Sequence, residues 1–197
     1  MDKIGLYFGS FNPIHKGHMM VAEHCLKKLK FKEVWFIISP HNPLKDSRIL
    51  IDEQHRLRMV TLATYKDMGL YTNDVEFNMP RPSYTIDTLR ELKEEPLNKD
   101  ADFQLILGQD NIESIEKWKD YQEILDNYQI WVYPRTPDEH KLSNGLILKE
   151  NVHFLDAERS DMSSTEIRDR IKQGKSVSEY LPHAFVEKYI KENKLYE

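Results

Sequence analysis

Cysteine is almost missing from this chain of 197 residues, where Cys25 stands alone. One thiol can build neither a disulfide framework nor a four-thiolate zinc site within the chain. That suits a reducing compartment and points to the cytoplasm. Long apolar runs are missing too: none approaches the roughly 18 residues that a membrane span requires. Met1-Asp2-Lys3 leads straight into a strand-like segment and does not read as a signal peptide. There is no excess of basic charge, because 28 Lys and Arg face 33 Asp and Glu, for a formal net charge of −5. A general nucleic-acid binder carries the opposite field, so that class is disfavoured. Glycine is scarce, with seven residues in all. Gly5, Gly9 and Gly17 cluster at the start, where the backbone should require them.

What is present suits a folded domain. Hydrophobic residues make up 40% and charged residues 31%, which allows a sizeable core and argues against disorder. The length fits one domain spanning 1–197, and no linker or internal repeat divides it. Ile4 to Phe8 reads as a buried strand closed by Gly9. A helix pattern from His18 carries Val21, Cys25, Leu26 and Leu29 on one face. Val34 to Ile38 is a second buried strand, and a proline-punctuated loop follows to about Asp52. Asp52 can cap a helix with Leu57, Val60 and Ala63 inward. Leu70 to Phe77 reads as a third strand, and Ser83 as the cap of a helix with Ile86 and Leu89 inward. Phe103 to Leu107, closed by Gly108, is another buried strand. Helical segments around Trp118 and Ile124 precede a strand at Ile130 to Tyr133. Leu146 to Leu148 and Val152 to Leu155 are short strand candidates, and helices at 163–173 and 183–192 close the chain.

Strands alternating with helices imply right-handed crossovers and an α/β fold with an open parallel sheet. Ligands bind such sheets beyond the carboxyl ends of the strands. The segments after Phe8, Ile38 and Leu107 are therefore where chemistry is expected.

After Phe8 comes Gly9-Ser10-Phe11-Asn12-Pro13-Ile14-His15-Lys16-Gly17-His18. A turn can aim His15 and His18, three residues apart, at one point, where two imidazole donors suit phosphate oxygens that gain charge. Taken alone, the pair reads rather as surface histidines of a tight turn. A zinc site lacks a nearby third ligand. Lys45, in Ser39-Pro40-His41-Asn42-Pro43-Leu44-Lys45, offers a point charge for phosphate or is simply solvated. Ser83-Tyr84-Thr85 opens a helix whose amides, with Thr85, could hold a carboxylate. Asp110, in Gly108-Gln109-Asp110, could accept ribose hydroxyls or act as an N-cap. Trp118 could stack on a pyridinium ring or pack against the core. Ser163-Ser164-Thr165-Glu166-Ile167-Arg168 makes a capping box that also presents hydroxyls, amides and Arg168 to a polyphosphate.

These motifs resemble, in order, those of the nucleotidyltransferase superfamily. The Gly9–His18 loop is similar to G-G-[ST]-F-[DN]-P-[IVP]-H-x-G-H, with Phe8 where the first glycine is common. The loop carrying Lys45, the Ser83–Leu89 segment, Gly108-Gln109-Asp110, Trp118 and the Ser163–Arg168 element resemble bacterial nicotinate-nucleotide adenylyltransferases. Gln109 replaces a smaller residue and Met162 replaces isoleucine. The resemblance runs from residue 4 to residue 196. It implies a Rossmann-like nucleotidyltransferase fold with helices on both faces and a small helical C-terminal part.

The implied reaction joins ATP and nicotinate mononucleotide to give nicotinate adenine dinucleotide and pyrophosphate, with Mg²⁺ accompanying ATP. By resemblance, His15, His18, Lys45 and Arg168 are the catalytic residues. ATP would be bound by Gly9, Ser10, Phe11, His18, Gly108, Asp110, Ser163, Ser164, Thr165 and Arg168. Nicotinate mononucleotide would be bound by Ser10, Lys45, Tyr84, Thr85, Trp118 and Lys119, with the Lys119 amide and side chain favouring a carboxylate. Arg135, after Tyr133-Pro134, is a further nucleotide contact to examine. No protein metal site, nucleic acid or membrane is implied, and a homo-oligomer is compatible with the chain. The rival readings are an adenylyltransferase for nicotinamide mononucleotide or phosphopantetheine, and a non-catalytic nucleotide sensor.

Overall fold

The computed structural model describes residues 1–40, 49–134, 150–157 and 162–197. Six parallel strands form one sheet: β1 (Asp2–Gly9), β2 (Glu33–Ile38), β3 (Leu70–Asn73), β4 (Ala101–Gly108), β5 (Ile130–Tyr133) and β6 (Val152–Phe154). Their order across the sheet is β3-β2-β1-β4-β5-β6. The order reverses between β1 and β4, so a crevice opens where these two strands end, at Gly9 and Gly108.

Alternation along the strands divides the core into two layers. In β1, Tyr7 faces one layer while Leu6 and Phe8 face the other. The first layer packs α1 (Lys16–Lys28), α2 (Glu53–Thr64), α6 (Ser164–Lys172) and α7 (Ala184–Glu192) through Val21, Cys25, Val60, Ile167 and Ile190. The second packs α3 (Thr85–Glu94), α4 (Gln109–Glu113) and α5 (Tyr121–Asn127) through Ile86, Leu89, Ile112 and Ile124. A Cβ on Gly5 would meet the Phe31 ring at 2.7 Å and Ile106 at 2.8 Å, so close packing accounts for that glycine.

Several expectations are corrected. Helix α1 begins at Lys16, with His15 as its N-cap, so His18 lies inside the first turn. The third strand stops at Asn73 instead of running to Phe77. Asn73 Oδ1 accepts a hydrogen bond from the Val75 amide at 2.9 Å, which turns the chain into a 3₁₀ segment, Val75–Asn78. The inner face of α2 carries Arg56 and Met59 beside Val60 and Ala63, while Leu57 is only partly buried. Trp118 is not helical; it ends a 3₁₀ turn in extended conformation. Asp52 caps α2 as expected, accepting from the Gln54 amide at 2.8 Å. The candidate strand at Leu146 to Leu148 lies outside the described residues, as do Lys45 and Arg135. No helix among the described residues is long and apolar enough to cross a membrane.

Cys25 is fully buried, and burial pushes its thiol up to about 12. The thiolate is the reactive form. The native protein should therefore resist a thiol-specific disulfide reagent at pH 8 and react fully once unfolded in denaturant. Rapid labelling of the native protein would contradict this placement.

Candidate active site

A cleft of about 610 Å³ opens at the β1–β4 crevice. Gly9, Ser10, Phe11, His15, His18, Gly108, Asp110, Ser163, Ser164, Thr165 and Arg168 all line it. Segments far apart in sequence thus meet at the point that the sheet topology singles out.

The loop after β1 is built around a close contact. Phe11 has a left-handed φ of +45°, and its ring sits against Gly9. A Cβ on Gly9 would lie 2.7 Å from that ring. Gly9 is therefore needed to seat Phe11. Phe11 also packs edge-on against Tyr7 and His18. The imidazoles of His15 and His18 stack with their centroids 3.7 Å apart. The His15 amide donates to His18 Nδ1 at 3.2 Å. With Nδ1 accepting, the neutral His18 ring carries its proton on Nε2, the form that donates to an anion.

Helix α6 is locked onto this loop. The Ser163 side chain accepts from the Glu166 amide at 3.1 Å, as a capping serine should. Ser164 donates to the Pro13 carbonyl at 2.9 Å. Arg168 donates to the Asn12 carbonyl at 2.8 Å and to Thr165 Oγ1 at 3.1 Å. These bonds bring the helix N-terminus and its cation beside His15 and His18. On the opposite wall, Gly108 is the N-cap of α4, so the N-cap reading of Asp110 is overturned. A Cβ on Gly108 would meet Asp110 Oδ1 at 2.7 Å. Gln109 is buried, directs its amide to Glu113 at 3.3 Å, and is not among the cleft-lining residues. Tyr133, at the end of β5, lines the cleft.

Tyr84, Thr85, Trp118 and Lys119 do not line this cleft. Tyr84 and Lys119 line a second depression of about 580 Å³ at the start of α3. Lys119 Nζ sits 5.4 Å from the Tyr84 ring centroid and donates to both Asp87 oxygens at 2.8 and 2.9 Å. Trp118 is partly buried against the second core layer. Ser83 is not the cap of α3; Tyr84 holds that position, and no side chain caps this helix. The Ser83 hydroxyl instead donates to the buried Glu76 carboxylate at 2.6 Å. Burial pushes the Glu76 carboxyl upward, and hydrogen bonds from Ser83, Thr88 and Ser39 oppose that shift.

Sequence reasoning missed two charged residues that shape the site. One is Glu76. The other is Arg56, whose side chain is fully buried. Its guanidinium donates to the carbonyls of Ile51, Ser10, Ser39 and Pro40 at 3.1, 2.8, 2.7 and 2.9 Å. Burial lowers its pKa, opposed first by the Glu53 carboxylate. A signal was available: Arg56 falls on the same helical repeat as Met59, Val60 and Ala63. Glu76 is likewise flanked by Val75 and Phe77. Among the described residues no group of three or more His, Cys, Asp and Glu could hold a metal ion.

A six-stranded parallel sheet with this cleft at its switch point is an α/β, nucleotidyltransferase-like fold. The sequence profile of the cytidylyltransferase-like family matches residues 6–170, and the chain belongs to that family. A protein of Flavobacterium johnsoniae named "Probable nicotinate-nucleotide adenylyltransferase" is 44% identical over 196 residues, covering 98% of each chain. A protein of the same name from Cytophaga hutchinsonii is 40% identical over 196 residues, again 98% of each chain. Another from Bacteroides fragilis is 38% identical over 190 residues, 96% of this chain and 92% of that one. Among solved structures, the Plasmodium falciparum nicotinic acid mononucleotide adenylyltransferase complexed with NaAD shares the fold. Its TM-score is 0.80 at 23% identity, over 100% of this chain and 98% of that one.

Arg56→Met keeps a long stem but leaves four carbonyls without their donor. Unfolding in urea should show a loss of about 3 kcal/mol or more. A loss under about 1 kcal/mol would show that the clamp contributes little.

Proposed function

We propose that residues 1–197 act as one nucleotidyltransferase domain that moves the adenylyl group of ATP onto nicotinate mononucleotide. The products are nicotinate adenine dinucleotide and pyrophosphate, a step of NAD biosynthesis. The observation that carries this reading is the meeting of the Gly9–His18 loop and the Ser163–Arg168 helix start in one cleft at the sheet's switch point. The names of the full-length relatives support the choice of acceptor.

In this reading a 5′-phosphate oxygen of nicotinate mononucleotide attacks the α-phosphorus of ATP in line, and the bond to the β-phosphate bridging oxygen breaks. A phosphate monoester is already anionic near neutral pH, so catalysis rests on positioning and on stabilising charge. His18 donates through Nε2–H to the α-phosphate oxygens, and His15 supports it from the adjacent ring. The first turn of α6, with Ser163, Ser164, Thr165 and Arg168, holds the outer phosphates. Asp110 accepts from the adenosine ribose, with Gly9, Ser10, Phe11 and Gly108 shaping the wall. Lys45 adds a point charge for phosphate. Nicotinate mononucleotide lies toward Ser10, Tyr84, Thr85, Trp118 and Lys119, where first-turn amides of α3 receive its carboxylate.

A divalent cation, Mg²⁺ in this reading, would neutralise phosphate charge as it arrives with ATP. Asp110 is the one carboxylate among the described cleft-lining residues and is assigned to the ribose, so phosphate oxygens and water would hold most of the cation's coordination. The chemistry and the lone buried cysteine suit a cytoplasmic location, and the acidic charge fits nucleotide rather than nucleic-acid partners.

Pyrophosphate release with ATP, Mg²⁺ and each of nicotinate mononucleotide, nicotinamide mononucleotide and phosphopantetheine tests the proposal. The nicotinate compound should turn over fastest, and silence with all three would favour a nucleotide sensor. His18→Ala should lower kcat by about 100-fold or more while changing ATP affinity far less. Near-normal turnover in that variant would remove His18 from the chemistry.

A further inference from the structure

We propose that Glu76 is a positioning residue for the acceptor nucleotide, its buried carboxylate fixing the 83–88 turn so that the first amides of α3 face the substrate carboxylate. The inference rests on the reading above that this turn receives the acceptor. Glu76 touches neither the nucleotide cleft nor the second depression, and only 2% of it is exposed. Such burial of a carboxylate is costly unless its oxygens are well bonded.

The bonds it makes are specific in position. Ser83 Oγ donates to Oε2 at 2.6 Å and Thr88 Oγ1 donates to Oε1 at 3.0 Å. One donor precedes Thr85 and the other follows it by three residues, so the two bonds bracket the start of α3. The Ser39 hydroxyl lies against the same carboxylate from the end of β2. One buried carboxyl group therefore ties the opening of α3 to the carboxyl end of β2, the strand beside β1. Spending Ser83 on Glu76 has a second effect. The serine best placed to cap α3 is drawn away, and Tyr84 contributes no capping side chain. The Asp87 amide donates to the Tyr84 carbonyl at 2.9 Å, so the Thr85 and Ile86 amides are the first-turn donors left to a ligand rather than to the protein's own hydroxyl. The nearby Asp87 would repel an incoming carboxylate, but Lys119 pairs with both of its oxygens.

The test separates positioning from general stability. Pyrophosphate release would be measured for Glu76→Gln, Thr88→Val and Thr88→Ser, varying ATP and nicotinate mononucleotide in turn. Glu76→Gln should raise the KM for nicotinate mononucleotide about tenfold and keep the KM for ATP within about twofold. Thr88→Val should show a smaller rise with the same selectivity, and Thr88→Ser, which keeps the hydroxyl, should restore the unaltered values. If Glu76→Gln does not fold, judged by circular dichroism, the Thr88 pair carries the test. Equal rises in both KM values, or an unchanged acceptor KM in folded variants, would overturn the inference. Absence of turnover with nicotinate mononucleotide in the unaltered protein would instead overturn the acceptor reading, and this inference with it.

Discussion

The site depends on one buried cation. Arg56 is fully buried and donates to four carbonyls from three segments: the loop after β1, the end of β2 and the approach to α2. Loops that leave parallel strands carry carbonyls with no ladder partner, and burying them unpaired is expensive. A planar group with five donors can satisfy several such acceptors at once, which a lysine could not do in the same space. The Ser10 carbonyl, and so the course of the loop carrying His15 and His18, is held by this clamp.

A second gathering point is Asn12. Its amide donates to the Ile49 carbonyl at 2.8 Å, and its side-chain oxygen accepts from the Tyr196 hydroxyl at 3.0 Å. Its carbonyl receives Arg168. The last helices are thereby tied to the first loop through one residue, and burial of the Tyr196 hydroxyl pushes its pKa up. This explains how α6 can serve a cleft built by β1 and β4 although it lies on the far side of the sequence. Arg56 on the Ser39 carbonyl and Glu76 near the Ser39 hydroxyl hold the Gly9–His18 loop and the α3 turn against one common strand end, that of β2.

Much of this was legible in the residues, and the boundaries of that legibility are physical. The strands ending at Gly9 and Gly108 are short apolar runs closed by glycine, and their burial follows from hydropathy alone. The Ser163 cap and the Asp52 cap are local hydrogen bonds between near neighbours, so spacing suffices to find them. Ser83 shows where local reasoning stops. It has the chemistry of a cap, yet a carboxylate seven residues earlier competes for its hydroxyl and wins. Phe11 is a similar case, because its left-handed backbone and its seat against Gly9 depend on the packing of Tyr7, His18 and Phe36 around it.

Local sequence was enough to set the α/β class, the strand–turn–helix at Gly9–His18, the capped start of α6 and most of the polar groups that line the cleft. These follow from interactions within a few residues, whose energies depend little on the rest of the chain. Long-range packing had to settle that Arg56 and Glu76 are buried, that Arg168 reaches Asn12, and that Tyr84 and Lys119 line a depression distinct from the β1–β4 cleft. A buried charge is stable only where remote segments supply its partners, and those partners come together only when the sheet has folded.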